Sequence, residues 1–259
     1  MGDKRRILIV GGGFSGMSAA ILLAEAGNAV DLIEIDAGWR SYGAGISLNG
    51  GIFRVFHRLG ILEAFKRVGA MTDGVELRSP ADTVVARLPT PSLQEGATGN
   101  GGILRPVLAK LLSDRVRETA THVRLGISAT AFDNRDDGVV VTFSDGSSGE
   151  YDLVIGADGL YSTTRTAIFP EAPKPRYVGQ AVWRAVLPLP EGIETVTMWI
   201  GSKLKYGVNG VSDGQAYLFV TEDRPTNDRI PEAAQLEMLR ELLQRFPAKT
   251  VQDIAAGLN

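Results

Sequence analysis

Ten residues near the start of the chain, Gly11-Gly12-Gly13-Phe14-Ser15-Gly16-Met17-Ser18-Ala19-Ala20, constrain its fold more than any other stretch. Ile7 to Val10, four branched apolar residues, run straight into them, and Met17, Ala20, Ile21 and Ala24 follow at helical spacing. A short run apolar on both faces is the pattern of a strand buried in a parallel sheet, and apolar residues three and four apart mark one stripe of a helix. The glycines between them are a tight turn. After Gly27-Asn28, a helix stop, Ala29 to Ile35 reads as a second strand, closing on Glu34 and Asp36. A competing reading is a secretory signal, because Lys4, Arg5 and Arg6 precede an uncharged run that reaches Ala24-Glu25-Ala26. It fails on the glycines, since each costs a helix interior about 1 kcal/mol relative to alanine.

Gly11, Gly13 and Gly16 match the G-x-G-x-x-G pattern of a strand-to-helix turn that binds a dinucleotide. The first allows the tight turn, the second lets backbone approach a diphosphate, and the third lets helix and strand pack closely, with the anion at the positive helix end. Glu34, eighteen residues beyond Gly16, stands where a carboxylate accepts both hydroxyls of an adenosine ribose. Strand, turn, helix, strand and acid in this order predict dinucleotide binding, without separating NAD from FAD.

The 259 residues, 44% hydrophobic, are enough for one large or two moderate domains. A net charge of −3 with acids and bases interspersed gives no basic stripe, so nucleic acid is not an expected partner. No polybasic anchor or bilayer-length apolar stretch is present, so neither is a membrane. Cysteine is absent, which excludes disulfides and thiolate chemistry, and His57 and His122 are too few and scattered for a metal site and read as structural. A cytoplasmic enzyme without metal is the expectation.

Along the chain, 41–48 reads as a glycine-spaced loop, followed by helices over 51–59 and 62–68 and short strands over 75–79 and 83–88. The stretch from Leu93 through Gly102 holds four glycines and predicts a mobile loop. An amphipathic helix over 106–119 and a β pair over 130–134 and 139–143 come next, then a buried parallel-type strand over 151–155. From Arg176 to Thr221 longer strands rich in Val, Tyr, Trp and Phe predict an antiparallel sheet, and a last helix spans about 231–245. The fold class is α/β: a Rossmann-like domain with a parallel βαβ sheet, plus a second domain with a mainly antiparallel sheet. The expected domains are 1–74 and 100–172 for the cofactor, 75–99 as an excursion of the substrate domain, and 173–259 as the substrate domain itself.

The stretch Asp152-Leu153-Val154-Ile155-Gly156-Ala157-Asp158-Gly159-Leu160-Tyr161-Ser162-Thr163-Thr164-Arg165 resembles the Asp-Gly motif of group A FAD-dependent monooxygenases, the para-hydroxybenzoate hydroxylase-like aromatic hydroxylases. Three further segments resemble the same family in order. They are Arg40 with Gly43-Ala44-Gly45-Ile46-Ser47-Leu48, Ile103-Leu104-Arg105-Pro106 at a helix start, and Trp183-Arg184 in a substrate-domain strand. The resemblance implies FAD bound by Gly11, Gly13, Phe14, Ser15, Gly16, Glu34, Ile35, Arg40, Gly45, Ile46, Arg105, Ile127, Asp158, Gly159 and Arg165, with Trp183 and Arg184 toward the substrate. It implies NADH or NADPH as reductant, and oxygen transfer from a flavin C4a-hydroperoxide to a small aromatic or heteroaromatic substrate. The cofactor carries that chemistry, so no catalytic side chain is assigned.

The family's third motif, a Gly-Asp pair beyond the substrate domain, has no counterpart before Leu258-Asn259. The expectation is a chain lacking the family's C-terminal part, either a fragment whose remainder is a missing segment or a partner chain, or a natural truncation. Two other readings stay open: a related flavin reductase or halogenase, and a nucleotide-binding fragment without independent activity.

Overall fold

The computed structural model describes residues 4–258. It opens with β1 (Arg6–Val10), α1 (Phe14–Glu25) and β2 (Ala29–Glu34), followed by β3 (Gly45–Asn49), α2 (Gly50–Arg58), α3 (Leu62–Val68), β4 (Ala70–Thr72), β5 (Val75–Arg78) and β6 (Val84–Leu88). Next come β7 (Asn100–Leu104), α4 (Arg105–Arg117), β8 (His122–Leu125), β9 (Ala129–Arg135), β10 (Gly138–Phe143), β11 (Ser148–Tyr151), β12 (Leu153–Gly156) and α5 (Thr163–Ile168). The described chain finishes with β13 (Gln180–Pro188), β14 (Val196–Ile200), β15 (Leu204–Ser212), β16 (Gln215–Asp223), α6 (Glu232–Gln244) and α7 (Lys249–Gly257). It divides into two compact units: the chain up to Tyr42 with Leu59–Ile61 and Leu108–Arg176, and Gly43–Arg58 with Leu62–Val107 and the chain from Tyr177 onward.

The first unit is built on a parallel sheet of order β12-β1-β2-β8. Strand β1 is central, which is why Ile7 to Val10 are apolar on both faces and buried. Beside it, the antiparallel meander β9-β10-β11 contributes Ala129, Val141, Phe143 and Tyr151 to a core shared with Leu8, Val10 and Ile33. The buried strand expected over 151–155 is in fact two elements, because Asp152 interrupts it. Its N–H donates to Arg6 O at 2.9 Å and its Oδ2 accepts from Arg6 N at 2.6 Å. Tyr151 therefore belongs to β11, and β12, paired on one side alone, leaves Leu153 41% exposed.

The second unit carries a six-stranded sheet of order β13-β16-β15-β14-β5-β6, antiparallel except where β14 pairs with β5. Helices α6 and α7 cover one of its faces, where Trp199, Tyr206, Leu218, Leu243, Phe246 and Val251 form the core. Ring centroids of Trp199 and Tyr206 lie 4.9 Å apart. Helix α7 falls beyond the last helix read from the sequence; its signal is the buried stripe Val251, Ile254 and Ala255.

Two glycine-rich segments expected as loops are strands of a small sheet ordered β3-β7-β4. Residues 100–102 are not a mobile loop: Asn100, Gly101 and Gly102 are buried, and a Cβ on Gly102 would stand 2.1 Å from Gly210 O. Glycine here serves close backbone approach instead of mobility. Likewise Gly45 and Ile46 lie in β3, paired with Leu104 and Ile103, and a Cβ on Gly45 would meet Tyr217 Cβ at 2.4 Å. Among the described residues no helix is long and apolar enough to cross a membrane.

Candidate cofactor site

The glycine turn after β1 shows three different reasons for its glycines. Gly11 has φ +109°, and a Cβ there would lie 2.5 Å from Ala157 O, at the end of β12. Gly16 is buried, and its Cβ would fall 1.9 Å from Gly11 O. Both are demanded by packing. Gly13 is exposed, and no protein atom lies within 4 Å of the position its Cβ would take. It is the N-cap of the twelve-residue α1 and offers no side-chain cap, and a helix N-terminus is where an anion is favoured. This fits backbone clearance for a diphosphate.

The unit's cleft, of about 370 Å³, is lined by Gly11, Gly13, Glu34, Ile35, Ile127, Asp158 and Gly159, joined by Tyr161 and Thr163. Seven residues singled out from the sequence thus meet in one place. Glu34, at the end of β2, accepts from Gly12 N with Oε2 at 2.7 Å and from Asp36 N with Oε1 at 2.8 Å. Each oxygen retains a lone pair for a ribose hydroxyl. Ile35, 75% exposed, supplies apolar surface beside it.

Asp158 sits where β12 turns toward α5. Its carboxylate accepts from Ser162 Oγ at 2.5 Å, Thr164 N at 3.0 Å and Thr163 Oγ1 at 3.3 Å. Burial pushes its pKa up, but the hydrogen bonds from Ser162 and Thr164 outweigh this and hold it below the usual aspartate range. Gly159 takes φ +81° directly after it, a turn that glycine makes without strain. Ser162 caps α5 by accepting from Arg165 N at 2.9 Å.

The other expected contacts stand elsewhere. Phe14 and Ser15 open α1. The Arg165 guanidinium donates to Leu160 O at 2.9 Å and so braces the turn. Arg40 forms a two-pronged pair with Asp36, Nη2 to Oδ1 at 2.8 Å and Nε to Oδ2 at 3.0 Å. Arg105 starts α4 in the second unit, its N–H donating to Ala44 O at 2.9 Å and its Cδ lying 3.2 Å from the Cβ position of Gly43. Gly45, Ile46, Trp183 and Arg184 also belong to the second unit. Trp183 Nε1 donates to Glu222 Oε1 at 2.9 Å and Arg184 Nε to the Tyr217 hydroxyl at 3.3 Å.

Sequence reasoning passed over Tyr161 and Thr163 as individual lining residues, although both lie inside the quoted Asp-Gly segment. It also passed over Trp39, whose indole N–H donates to Gly12 O at 2.7 Å. The signal for Trp39 was its place between Glu34 and Arg40, within the segment that follows the acid closing β2.

Comparison with known proteins agrees with this geometry. The family described as "FAD binding domain" matches residues 4–255. The aurachin C monooxygenase/isomerase of Stigmatella aurantiaca is 32% identical over 248 residues, covering 93% of this chain and 62% of that protein. The 6-hydroxynicotinate 3-monooxygenase of Pseudomonas fluorescens is 31% identical over 257 residues, covering 92% and 65%. Among solved structures, Klebsiella pneumoniae HpxO complexed with FAD and uric acid aligns with a TM-score of 0.83 at 25% identity, covering 98% of this chain and 65% of that one. The chain thus spans less than two thirds of the length of each of these proteins. With the glycine turn, Glu34 and the Asp-Gly segment converging on one cleft and that family's description matching residues 4–255, the chain belongs to the FAD binding domain family.

Proposed function

We propose that the protein is an FAD-dependent monooxygenase, driven by NADH or NADPH, that hydroxylates a small aromatic or heteroaromatic molecule. The reaction consumes the substrate, O₂, NAD(P)H and a proton, and yields the hydroxylated product, water and NAD(P)⁺. The observation that carries this reading is the convergence of Gly13, Glu34 and Asp158 on one cleft. The relatives' names, monooxygenases of aurachin C and of 6-hydroxynicotinate, support the reaction class.

In this reading the α1 N-terminus and Gly13 hold the diphosphate, Glu34 holds the ribose, and Ile35 and Ile127 pack against the flat or apolar parts of FAD. Asp158 and Gly159 meet the cofactor farther along, with Phe14, Ser15, Gly16, Arg40, Gly45, Ile46, Arg105 and Arg165 as further contacts. Bound FAD supplies the redox and oxygen chemistry. The protein's own groups position it, and Arg184 offers a cation to an electron-rich or anionic substrate. The functional partition is 1–74 with 100–172 for the cofactor and 75–99 with 173–259 for the substrate, although packing groups 43–58 and 62–107 with the later chain. A further segment or a partner chain completes the working enzyme, which we place in the cytoplasm.

The test is titration of the purified protein with FAD, followed by assay of NAD(P)H oxidation against a panel of phenolic acids, pyridines, quinolones and purines under ¹⁸O₂. Saturable flavin binding and one labelled oxygen in the product are expected. Failure to take up FAD would sink the reading.

A further inference from the structure

We infer that Trp39 is a positioning residue for the cofactor cleft, its indole N–H holding the Gly12–Gly13 peptide so that the Gly13 N–H is presented to the diphosphate of FAD. This rests on the FAD reading of the cleft. The fingerprint accounts for Gly11, Gly13 and Gly16 and leaves the glycine between the first two unexplained. Unlike exposed Gly13, Gly12 is buried, and a Cβ on it would come 2.5 Å from Trp39 Nε1 and 2.9 Å from Glu34 Cβ.

Gly12 is held at both ends. Its N–H donates to Glu34 Oε2 at 2.7 Å, and its carbonyl accepts from Trp39 Nε1 at 2.7 Å. The peptide that follows is planar and trans, so the carbonyl of Gly12 and the N–H of Gly13 point in opposite directions. Fixing the carbonyl on the indole therefore fixes where the Gly13 N–H points. Rotating that peptide the other way turns a carbonyl oxygen, instead of a donor, to the side on which the anion binds.

Trp39 is itself strongly constrained. It has φ +47°, a conformation that bulky residues avoid unless their surroundings impose it. Its N–H donates to Asp36 O at 3.0 Å, and Asp36 is clamped by Gly38 N at 3.1 Å and Arg40 N at 2.8 Å. The Arg117 guanidinium lies 4.8 Å from the centre of the Trp39 ring. These contacts aim the indole N–H at one carbonyl.

The experiment measures FAD dissociation constants by flavin fluorescence for the wild-type chain, Trp39→Phe, Gly12→Ala and the double variant, with melting temperatures for each with and without FAD. Trp39→Phe keeps the ring over Arg117 and deletes the donor. It is expected to weaken FAD about five- to tenfold, the worth of one hydrogen bond, and to shrink the rise in melting temperature that FAD produces. Because both substitutions act on one peptide, the double variant is expected to lose much less than the product of the two single effects. A Trp39→Phe chain that melts earlier but binds FAD as the wild type does overturns the inference, as do fully multiplicative losses.

A measurement on the unsubstituted protein guards against misfolded variants. With ¹⁵N-labelled tryptophan, one of three indole N–H resonances should shift and exchange more slowly when FAD is added; no response from any of them overturns the inference. A wild-type chain that does not bind FAD sinks the cleft reading and this inference together, whereas normal binding with an indifferent Trp39→Phe sinks the inference alone.

Discussion

Trp183 and Arg184, adjacent on β13, point to opposite faces of the six-stranded sheet, Trp183 to Glu222 and Arg184 to the Tyr217 hydroxyl. Strand alternation imposes this. Trp183 packs on the face that α6 and α7 cover, and Arg184 stays exposed. The two side chains therefore have separate roles, and their substitutions should separate too. Trp183→Phe takes a donor from the mostly buried Glu222, which also holds Arg224 at 3.3 Å, and is expected to cost about 1–2 kcal/mol. Arg184→Gln should stay within about 0.5 kcal/mol, as exposed substitutions usually do. Urea unfolding of the two variants checks this; equal losses would contradict the division.

Asp82 ties the β5–β6 turn to the helical side of the second unit. Its Oδ1 accepts from Trp199 Nε1 at 2.8 Å and Arg78 Nη1 at 2.9 Å, and its Oδ2 from Thr250 Oγ1 at 3.4 Å. It also stands at φ +71°, where Asp and Asn are tolerated far better than Ala. Asp82→Ala strands the Trp199 N–H, removes one of the two carboxylates that hold Arg78, which keeps Glu76 at 2.6 Å, and places alanine at a positive φ; it is expected to cost about 2–3 kcal/mol. Asp82→Asn, which keeps an acceptor and the backbone preference, should cost about 1 kcal/mol. Denaturation followed by tryptophan fluorescence measures both, and the expected order is Ala well below Asn.

How much of this was legible in the sequence depends on how local each cause is. The turn at Gly11 and the close packing at Gly16 were readable because strand, turn and helix lie within one short segment. The glycines of 99–102 were misread because their need comes from distant backbone: Gly101 lies against Ala70 O and Gly102 against Gly210 O. Composition registers glycine and reports flexibility; it does not register what stands 2 or 3 Å away. Trp39 was passed over for the same reason, its partner Gly12 being 27 residues away. Arg40 was read as a cofactor contact, and that it also pairs with Asp36 four residues back is a matter of rotamer that sequence does not give.

Two glycine substitutions should dissociate folding from binding. A Cβ on Gly16 collides with Gly11 O at 1.9 Å, a backbone atom that cannot yield without moving the turn. Gly16→Ala is therefore expected to cost about 3 kcal/mol or more, at the top of the range for overpacking. Gly13 has φ −72°, allowed for any residue, and no atom within 4 Å of its Cβ position. Gly13→Ala should fold with the wild-type melting temperature and still bind FAD at least tenfold more weakly, since the added methyl takes up the backbone clearance a diphosphate needs. A Gly13→Ala chain with unchanged FAD affinity would show that the clearance is not used.

The Asp158 carboxylate should leave a signature in acid. Burial raises its pKa, but Ser162, Thr164 N–H and Thr163 hydrogen-bond the charged form and bring it below the usual range. A folded-state pKa below the unfolded one means that the unfolded chain binds the proton more tightly, so stability falls as pH falls. The contribution is complete above the unfolded aspartate value of about 3.9 and is lost as pH descends through the lower folded value. Asp158→Asn removes that titration. At pH 7 the variant is expected to be less stable by about 1 kcal/mol, the net worth of exchanging charged for neutral hydrogen bonds in a partly exposed turn. The gap should narrow as pH falls below about 3.9 and close below the lower folded value, where the wild-type carboxylate is protonated in both states and resembles the amide. Urea midpoints at pH 7, 5 and 3 for both chains test this directly. A gap that stays constant across the three pH values would mean that the hydrogen bonds to Asp158 do not favour its charged form.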